Sequence, residues 1–470
     1  MIELSAAQVA AATGGRLVAG PEVRVTGSVV IDSREVVAGG LFVAIAGEHV
    51  DGHEYAAQAV AAGAALVLAE RELDVPCVVV ADVQDALGRL AAHVLAALRA
   101  AGDLRVVAVT GSVGKTTTKD LLGALLRPEG PTVVPAGSFN NEIGLPLTVL
   151  RADAATRYLV LEMGASGIGH LTYLTQIAPP DVAAVLVVGH AHLGEFGGIE
   201  GVAQAKGEIV SGLVPGGTAV LNADDLRVVA MRDLTDGPVV TYGTIPAADV
   251  RAEDVATGRE GHASMTLRLR EADGTERRAP LTLGLVGEHH VTNALAAASV
   301  ALQVGVSFED VVARLDGVGA ASPHRMHVVE RPDGVTVIDD SYNANPDSMR
   351  AALRSLAVMA GRDRRSVAVL GEMRELGDDS RVEHDALGRL AVRLNVKLLV
   401  VVGEGAYHVH EGAQQEGSWG DEVVFVPDVE TASALLRDEL RAGDVVLVKA
   451  SNGSGLWRLG DELVGAGAGA

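Results

Sequence analysis

The chain has 470 residues, a length that divides into roughly three domains of ordinary size. Hydrophobic residues make up 48% of it but aromatics only 3%, so alanine, valine and leucine must carry the packing, which favours an α/β fold over an aromatic-rich β sandwich. A formal net charge of -23 sets most of the surface against a nucleic-acid backbone, and a single cysteine, Cys77, excludes an internal disulfide framework.

The amino-terminal segment begins with a helical stretch, "SAAQVAAATGG". Strand candidates follow in "RVTGSVVIDSR", "GGLFVAIAG", "ALVLAE" and "CVVVAD", and the helical run "ALGRLAAHVLAALRA" closes a small α/β unit over residues 1–102. No signal-peptide pattern and no long uncharged apolar run opens the chain, so a cytoplasmic protein without a membrane span is expected. From "LRVVAVTG" a second series starts. Its apolar strands "RVVAVT", "RYLVLEM", "VAAVLVV" and "GTAVLN" alternate with helix-length stretches, the pattern of a largely parallel sheet covered on both faces. A β-rich excursion near 250–285 precedes the helix "HHVTNALAAASVALQVG", and the unit is placed at 103–317. The segment 318–470 repeats the α/β pattern with "VTVIDD", "RSVAVLGEM", "KLLVVVGEG", "EVVFVPD" and "DVVLVKAS", without a GxGxxG turn. The final "GAGAGA" is expected to be a disordered tail.

The second unit opens with "VAVTGSVGKTTTKD". An ordinary Walker A loop has its first glycine six residues before the lysine. Here that position is Val109, and the nearest glycine is Gly111, so the loop is two residues short. The strand, loop and helix order still aims several N–H groups and a positive helix end at one point across Gly111, Ser112, Val113, Gly114, Lys115, Thr116 and Thr117. Lys115 is placed to neutralise terminal phosphates and the Thr116 hydroxyl to bind the accompanying magnesium. Glu162 ends a predicted parallel strand, at the rim where ligands bind in such sheets, and a hard oxygen there suits magnesium. By itself it is as well explained as an ordinary strand-end acid; beside a phosphate loop the metal role becomes the better one. His192 and Lys206, in "GHAHLGEFGGIEGVAQAKGEI", stay open between ligands and structural or solvated residues on spacing alone.

Taken together, "TGSVGKTTTKD", "SFNNEIGLPLTVL", "LEMGASGIGHL", "AHLGEFGG", "AQAKGEI", "NALAA" and above all "DDSYNANPDSM" resemble the Mur ligases over nearly the whole chain, and "DSREVVAGGLFVAIAGEHVDGHEY" is similar to that family's UDP-binding domain. The short loop is the form these ligases share. The resemblance implies a small UDP-binding domain, a central P-loop ATPase domain, and a carboxy-terminal Rossmann-like domain that closes on ATP and binds a dipeptide. The versions of "DDSYNANP" and "SFNNEIG" imply an ATP-dependent amide ligase whose partners are UDP-MurNAc-tripeptide and D-Ala-D-Ala, with two magnesium ions; separately, and without a sequence signal for it, a monomer is expected. It further implies that Lys115 and the loop amides hold the ATP phosphates, and that Thr116 and Glu162 hold one magnesium. The second magnesium falls to His192 and to Lys206 as a carbamate. Asn293 is implied near the adenine, Arg325 and Asp340 as third-domain residues closing on ATP, Asn141 near the phosphates or reacting carboxylate, and Asp32, Ser33 and Arg34 at the UDP end. The chain departs from the family pattern at His170, Val187, His190, Ala450 and Asn452. Two other functions are weighed against this one: a different amide ligase of the same fold, and a P-loop ATPase that switches conformation without making a bond.

Overall fold

The computed structural model describes residues 1–18, 20–47, 50–189, 196–271, 273–417 and 422–465. His190, His192 and the end of the "GAGAGA" tail lie outside the described residues. Three main sheets succeed one another along the chain. The first has five strands in the order Arg16–Val18, Cys77–Val79, Leu66–Ala69, Leu41–Val43 and Val29–Val30, parallel except for the Arg16–Val18 edge. The stretch expected as one strand in "RVTGSVVIDSR" is two short ones, Arg24–Val25 and Val29–Val30, because the chain between them, at Gly27, is pressed against the backbone of residues 38–40.

The second sheet has nine strands. Its parallel centre places Arg105–Thr110 between Tyr158–Glu162 and Val182–Val185, followed outward by Thr218–Asn222, Val239–Gly243 and Val250–Thr257. The expected β-rich excursion is an antiparallel extension, His262–Arg270 and Glu276–Val286. The chain runs outward to one side of Arg105–Thr110 and then to the other, so the end of that strand is the switch point where an open α/β sheet leaves a crevice. The central strands are apolar between their end residues and buried on both faces, as a helix-covered parallel sheet requires. The third sheet has six strands, ordered His327–Glu330, Thr336–Asp339, Val445–Lys449, Ser366–Leu370, Leu398–Val402 and Val423–Val426, parallel except for its first edge.

Cohesion is distributed unevenly. The helix Val83–Ala101, capped by the Asp82 side chain, buries Leu87, Leu90, Val94 and Leu98 in a core that runs without a break from Leu41 and Leu66 of the first sheet to Leu159 and Leu161 of the second. The third sheet has cores of its own, joined to the second unit by Val286. None of the described helices is long and apolar enough to cross a membrane.

Candidate active site

Strand Arg105–Thr110 delivers the chain into the short loop, and helix Lys115–Leu126 starts at Lys115. Gly114 is the helix N-cap, with φ 86°, a left-handed conformation that glycine adopts at no steric cost. A Cβ added there would lie 2.2 Å from Asn293 Oδ1, so the same glycine lets helix His290–Gln303 approach the loop. Gly114→Ala therefore combines about 1–2 kcal/mol of backbone strain with displacement of Asn293. We expect the apparent affinity for ATP to fall about tenfold or more, measurable as KM for ATP with the helical circular dichroism unchanged.

The loop borders a cavity of about 360 Å³. Ser112, Val113, Gly114, Lys115, Thr116 and Thr117 form one wall. Glu162 and Asn293 are on the same side, and Arg325 and Asp340 face them from the third unit. Gly111 sits just behind, its carbonyl accepting a 2.8 Å hydrogen bond from Lys115 Nζ. Burial lowers the Lys115 pKa, with the nearby Glu162 carboxylate opposing that shift. Glu162 pairs in register with Val109 across the two central strands, which puts its carboxylate beside the loop. One oxygen accepts a 2.6 Å bond from Asn140 Nδ2; the other, Oε2, is buried and has no hydrogen-bond partner among the described residues. A buried carboxylate oxygen without a donor calls for a cation, and the Thr116 and Ser138 hydroxyls, 3.1 Å apart, supply further hard oxygens on the same cavity wall. The donor set fits magnesium.

Across the cavity Arg325 Nη2 donates to Thr116 Oγ1 and to Ser138 Oγ, each at 3.1 Å, and its guanidinium lies 4.2 Å from the centre of the Tyr342 ring. A guanidinium and a divalent cation cannot share the Thr116 hydroxyl, so Arg325 must release it when the metal site is filled. Lys449 ends the central strand Val445–Lys449, is 2% exposed, and donates to Asp340 Oδ2 at 2.6 Å and to the Asn343 carbonyl at 2.8 Å. Burial lowers its pKa and the Asp340 carboxylate resists that fall. Sequence reasoning passed over Lys449, Ser138 and Asn140. The rule that singled out Glu162, a charged residue ending an apolar central strand, also describes Lys449.

Lys206 lies on helix Ile199–Ser211, 4% exposed and off the cavity wall. No carboxylate pairs with it among the described residues, and burial, reinforced by the Lys115 charge, lowers its pKa to about 7. Asn141 is exposed and off the cavity: its Oδ1 accepts from the backbone N–H groups of Ile143 and Gly144, and it is the neighbouring Asn140 that reaches the site. Ser33 and Arg34 belong to a 3-10 turn, Ser33–Glu35, after strand Val29–Val30 of the first unit, and with Asp32 before it they do not line this cavity. Asp32 caps the turn, accepting from Arg34 N at 2.9 Å and from the Arg34 guanidinium, hydrogen bonds that lower its pKa to about 2. Ser33 is buried, while the Arg34 side chain is 82% exposed. Of the departures from the family pattern, Val187 lines the cavity and Ala450 is buried, its Cβ filling the space beside Gly371.

A phosphate loop at the switch point of a parallel sheet, an acid ending the adjacent strand and cations supplied by a second α/β unit define a nucleotide-dependent enzyme of the P-loop class. Residues 26–100 match the model of the Mur ligase family, catalytic domain; residues 109–301 match the Mur ligase middle domain; and residues 324–452 match the Mur ligase, glutamate ligase domain. The chain is 49% identical to the UDP-N-acetylmuramoyl-tripeptide--D-alanyl-D-alanine ligase of Mycobacterium tuberculosis, over 99% of this chain and 98% of that one. Among solved structures it is similar to MurF from Acinetobacter baumannii, with a TM-score of 0.86, 32% identity and 99% of each chain covered. It is also similar to the MurF ligase of Thermotoga maritima in complex with ADP, with a TM-score of 0.78, 29% identity, and 94% of this chain and 98% of that one covered. The chain belongs to the Mur ligase family.

Proposed function

We propose that this chain is an ATP-dependent ligase that joins D-Ala-D-Ala to UDP-MurNAc-tripeptide, forming UDP-MurNAc-pentapeptide in peptidoglycan precursor synthesis. The observation that carries the reading is the facing arrangement of Lys115, Glu162 and Arg325 over one short phosphate loop, in a chain that aligns end to end with ligases of that name. A carboxylate is a poor electrophile. Its oxygen attacks the γ-phosphorus of ATP, the bond to ADP breaks, and an acyl phosphate forms; the dipeptide amine then adds to the acyl carbon, loses a proton, and phosphate departs.

The loop N–H groups and Lys115 hold the terminal phosphates and offset their charge as it shifts toward ADP. Thr116 and Glu162 would hold one magnesium ion, and His192 with a carbamylated Lys206 a second. Bound there, the ions would neutralise phosphate charge and lower the repulsion between two anionic reactants. Carbamylation suits Lys206 chemically, because carbon dioxide reacts with a neutral amine and burial already disfavours the ammonium form. Asn293 is assigned to the adenine and Asp32, Ser33 and Arg34 to the UDP end, while Arg325 and Asp340 come with the third unit as it closes and excludes water from the acyl phosphate. The units divide at 1–102, 103–317 and 318–470, and the protein works as a monomer in the cytoplasm.

The test is phosphate release from ATP with UDP-MurNAc-tripeptide, with and without D-Ala-D-Ala. Turnover that depends on both substrates and yields the pentapeptide supports the reading. ATP hydrolysis indifferent to both would overturn it.

A further inference from the structure

Arg325 crosses from the third unit to the phosphate loop of the second, and the backbone that presents it is strained. His324 has φ 56° and Met326 has φ 49°, so both neighbours of Arg325 stand in the left-handed region that residues with side chains rarely occupy. Each costs on the order of 1–2 kcal/mol in isolation, so neighbouring groups must hold them there. Both anchors come from one short segment. The Met326 N–H donates to Asp340 Oδ1 at 3.1 Å, and the His324 ring nitrogen Nδ1 lies 2.6 Å from Asp339 Oδ2. The Tyr342 N–H donates to the His324 carbonyl at 3.3 Å, so a third residue of the same segment grips the turn through its backbone.

Asp339 is itself fixed. It is 2% exposed, and its Oδ1 accepts from the Ser341 hydroxyl at 2.5 Å and from the Ser341 N–H at 3.2 Å. The carboxy-terminal helix Trp457–Gly465 covers it at Gly460, where a Cβ would stand 2.6 Å from Asp339 Oδ1; Asp461 of that helix lies 3.6 Å from His324 Nε2. Asp340 and Tyr342 face the ATP cavity, but Asp339 and Ser341 are not on its wall. Nothing in the reaction uses them directly.

We propose that His324 and Asp339 are positioning residues: the ring-to-carboxylate contact holds the left-handed turn that aims Arg325 at the phosphate loop. The inference rests on the ATP site described above. It makes the function of Asp339 indirect and wholly dependent on Arg325.

The experiment is a double-mutant cycle on the full-length enzyme, with kcat and KM for ATP measured for Asp339→Asn, Arg325→Ala and the pair, each verified as folded by circular dichroism. Arg325→Ala should itself lower kcat/KM for ATP, and Asp339→Asn should lower it about tenfold in the parent but less than about twofold in the Arg325→Ala background. Equal losses in both backgrounds would overturn the positioning role; no loss from Arg325→Ala alone would instead overturn the assignment of the ATP site. Should Asp339→Asn fail to fold, His324→Gly and His324→Ala decide the matter. Glycine enters the left-handed turn freely and alanine does not, so the glycine variant should keep the higher kcat/KM. Alanine performing as well or better would overturn the inference.

Discussion

Lys115→Ala is expected to reduce ADP release in the presence of UDP-MurNAc-tripeptide by about a thousandfold or more, the scale seen when a charge that stabilises a transferring phosphoryl group is removed. The loss should fall on kcat/KM and should appear before D-Ala-D-Ala is added, because acyl-phosphate formation is the step that needs the lysine. The side chain now folds back onto the Gly111 carbonyl at 2.8 Å, so it is held within the loop and needs only to exchange one acceptor for another when phosphate arrives. Thermal stability should change little, since the one hydrogen bond that the Lys115 side chain makes among the described residues is to the Gly111 carbonyl of its own loop. Undiminished ADP release would refute the loop assignment.

The second large effect concerns Lys206. Lys206→Ala should lower turnover about a hundredfold or more and should recover part of it when short carboxylic acids such as acetate are supplied, because they restore an anionic oxygen where the carbamate is expected. A second readout does not depend on turnover: protein equilibrated with carbon-13 bicarbonate should show a carbamate carbon resonance that Lys206→Ala lacks. The pH dependence follows from the direction of the shift. With its pKa lowered to about 7, the amine is neutral above that value and protonated below it, so the resonance should be strong at pH 8 and weak at pH 6. Full activity of Lys206→Ala without rescue would eliminate the carbamate.

What the sequence disclosed about this site was governed by distance along the chain. The phosphate loop was legible because strand, glycines and helix are contiguous, and the geometry that makes the cradle is local. Glu162 was legible by a rule about strand ends, and its register against Val109 is what brings it to the loop. Arg325 reaches Thr116 over a separation of 209 residues, and its role came from resemblance because no local pattern encodes the meeting of two sheets. Asn140 and Asn141 show the limit at the smallest scale. The two side chains are one residue apart in irregular backbone, where no period fixes which one faces inward. Lys449 meets the same strand-end rule, but a lysine after four apolar residues equally resembles a solvated strand end, and only the folded structure reveals that Asp340 accompanies it into the interior. The left-handed turn at His324 left no trace either, since the usual signal for that conformation is a glycine.

The helix Val83–Ala101 sets the mechanics of the whole molecule. Because its leucines belong to a core shared by the first two sheets, separating those units would expose a large apolar area, whereas the third unit shares only Val286 of the second unit in its core and otherwise meets it near the loop through polar contacts, Arg325 to Thr116 and Ser138 and Lys119 to Ser322 at 3.5 Å. Polar contacts can be exchanged for water at small net cost, and extensive apolar ones cannot. The first two units are thus built as one fixed half that keeps a constant spacing between the turn at Asp32 and the loop at Lys115, and a change of arrangement would cost least at the third unit.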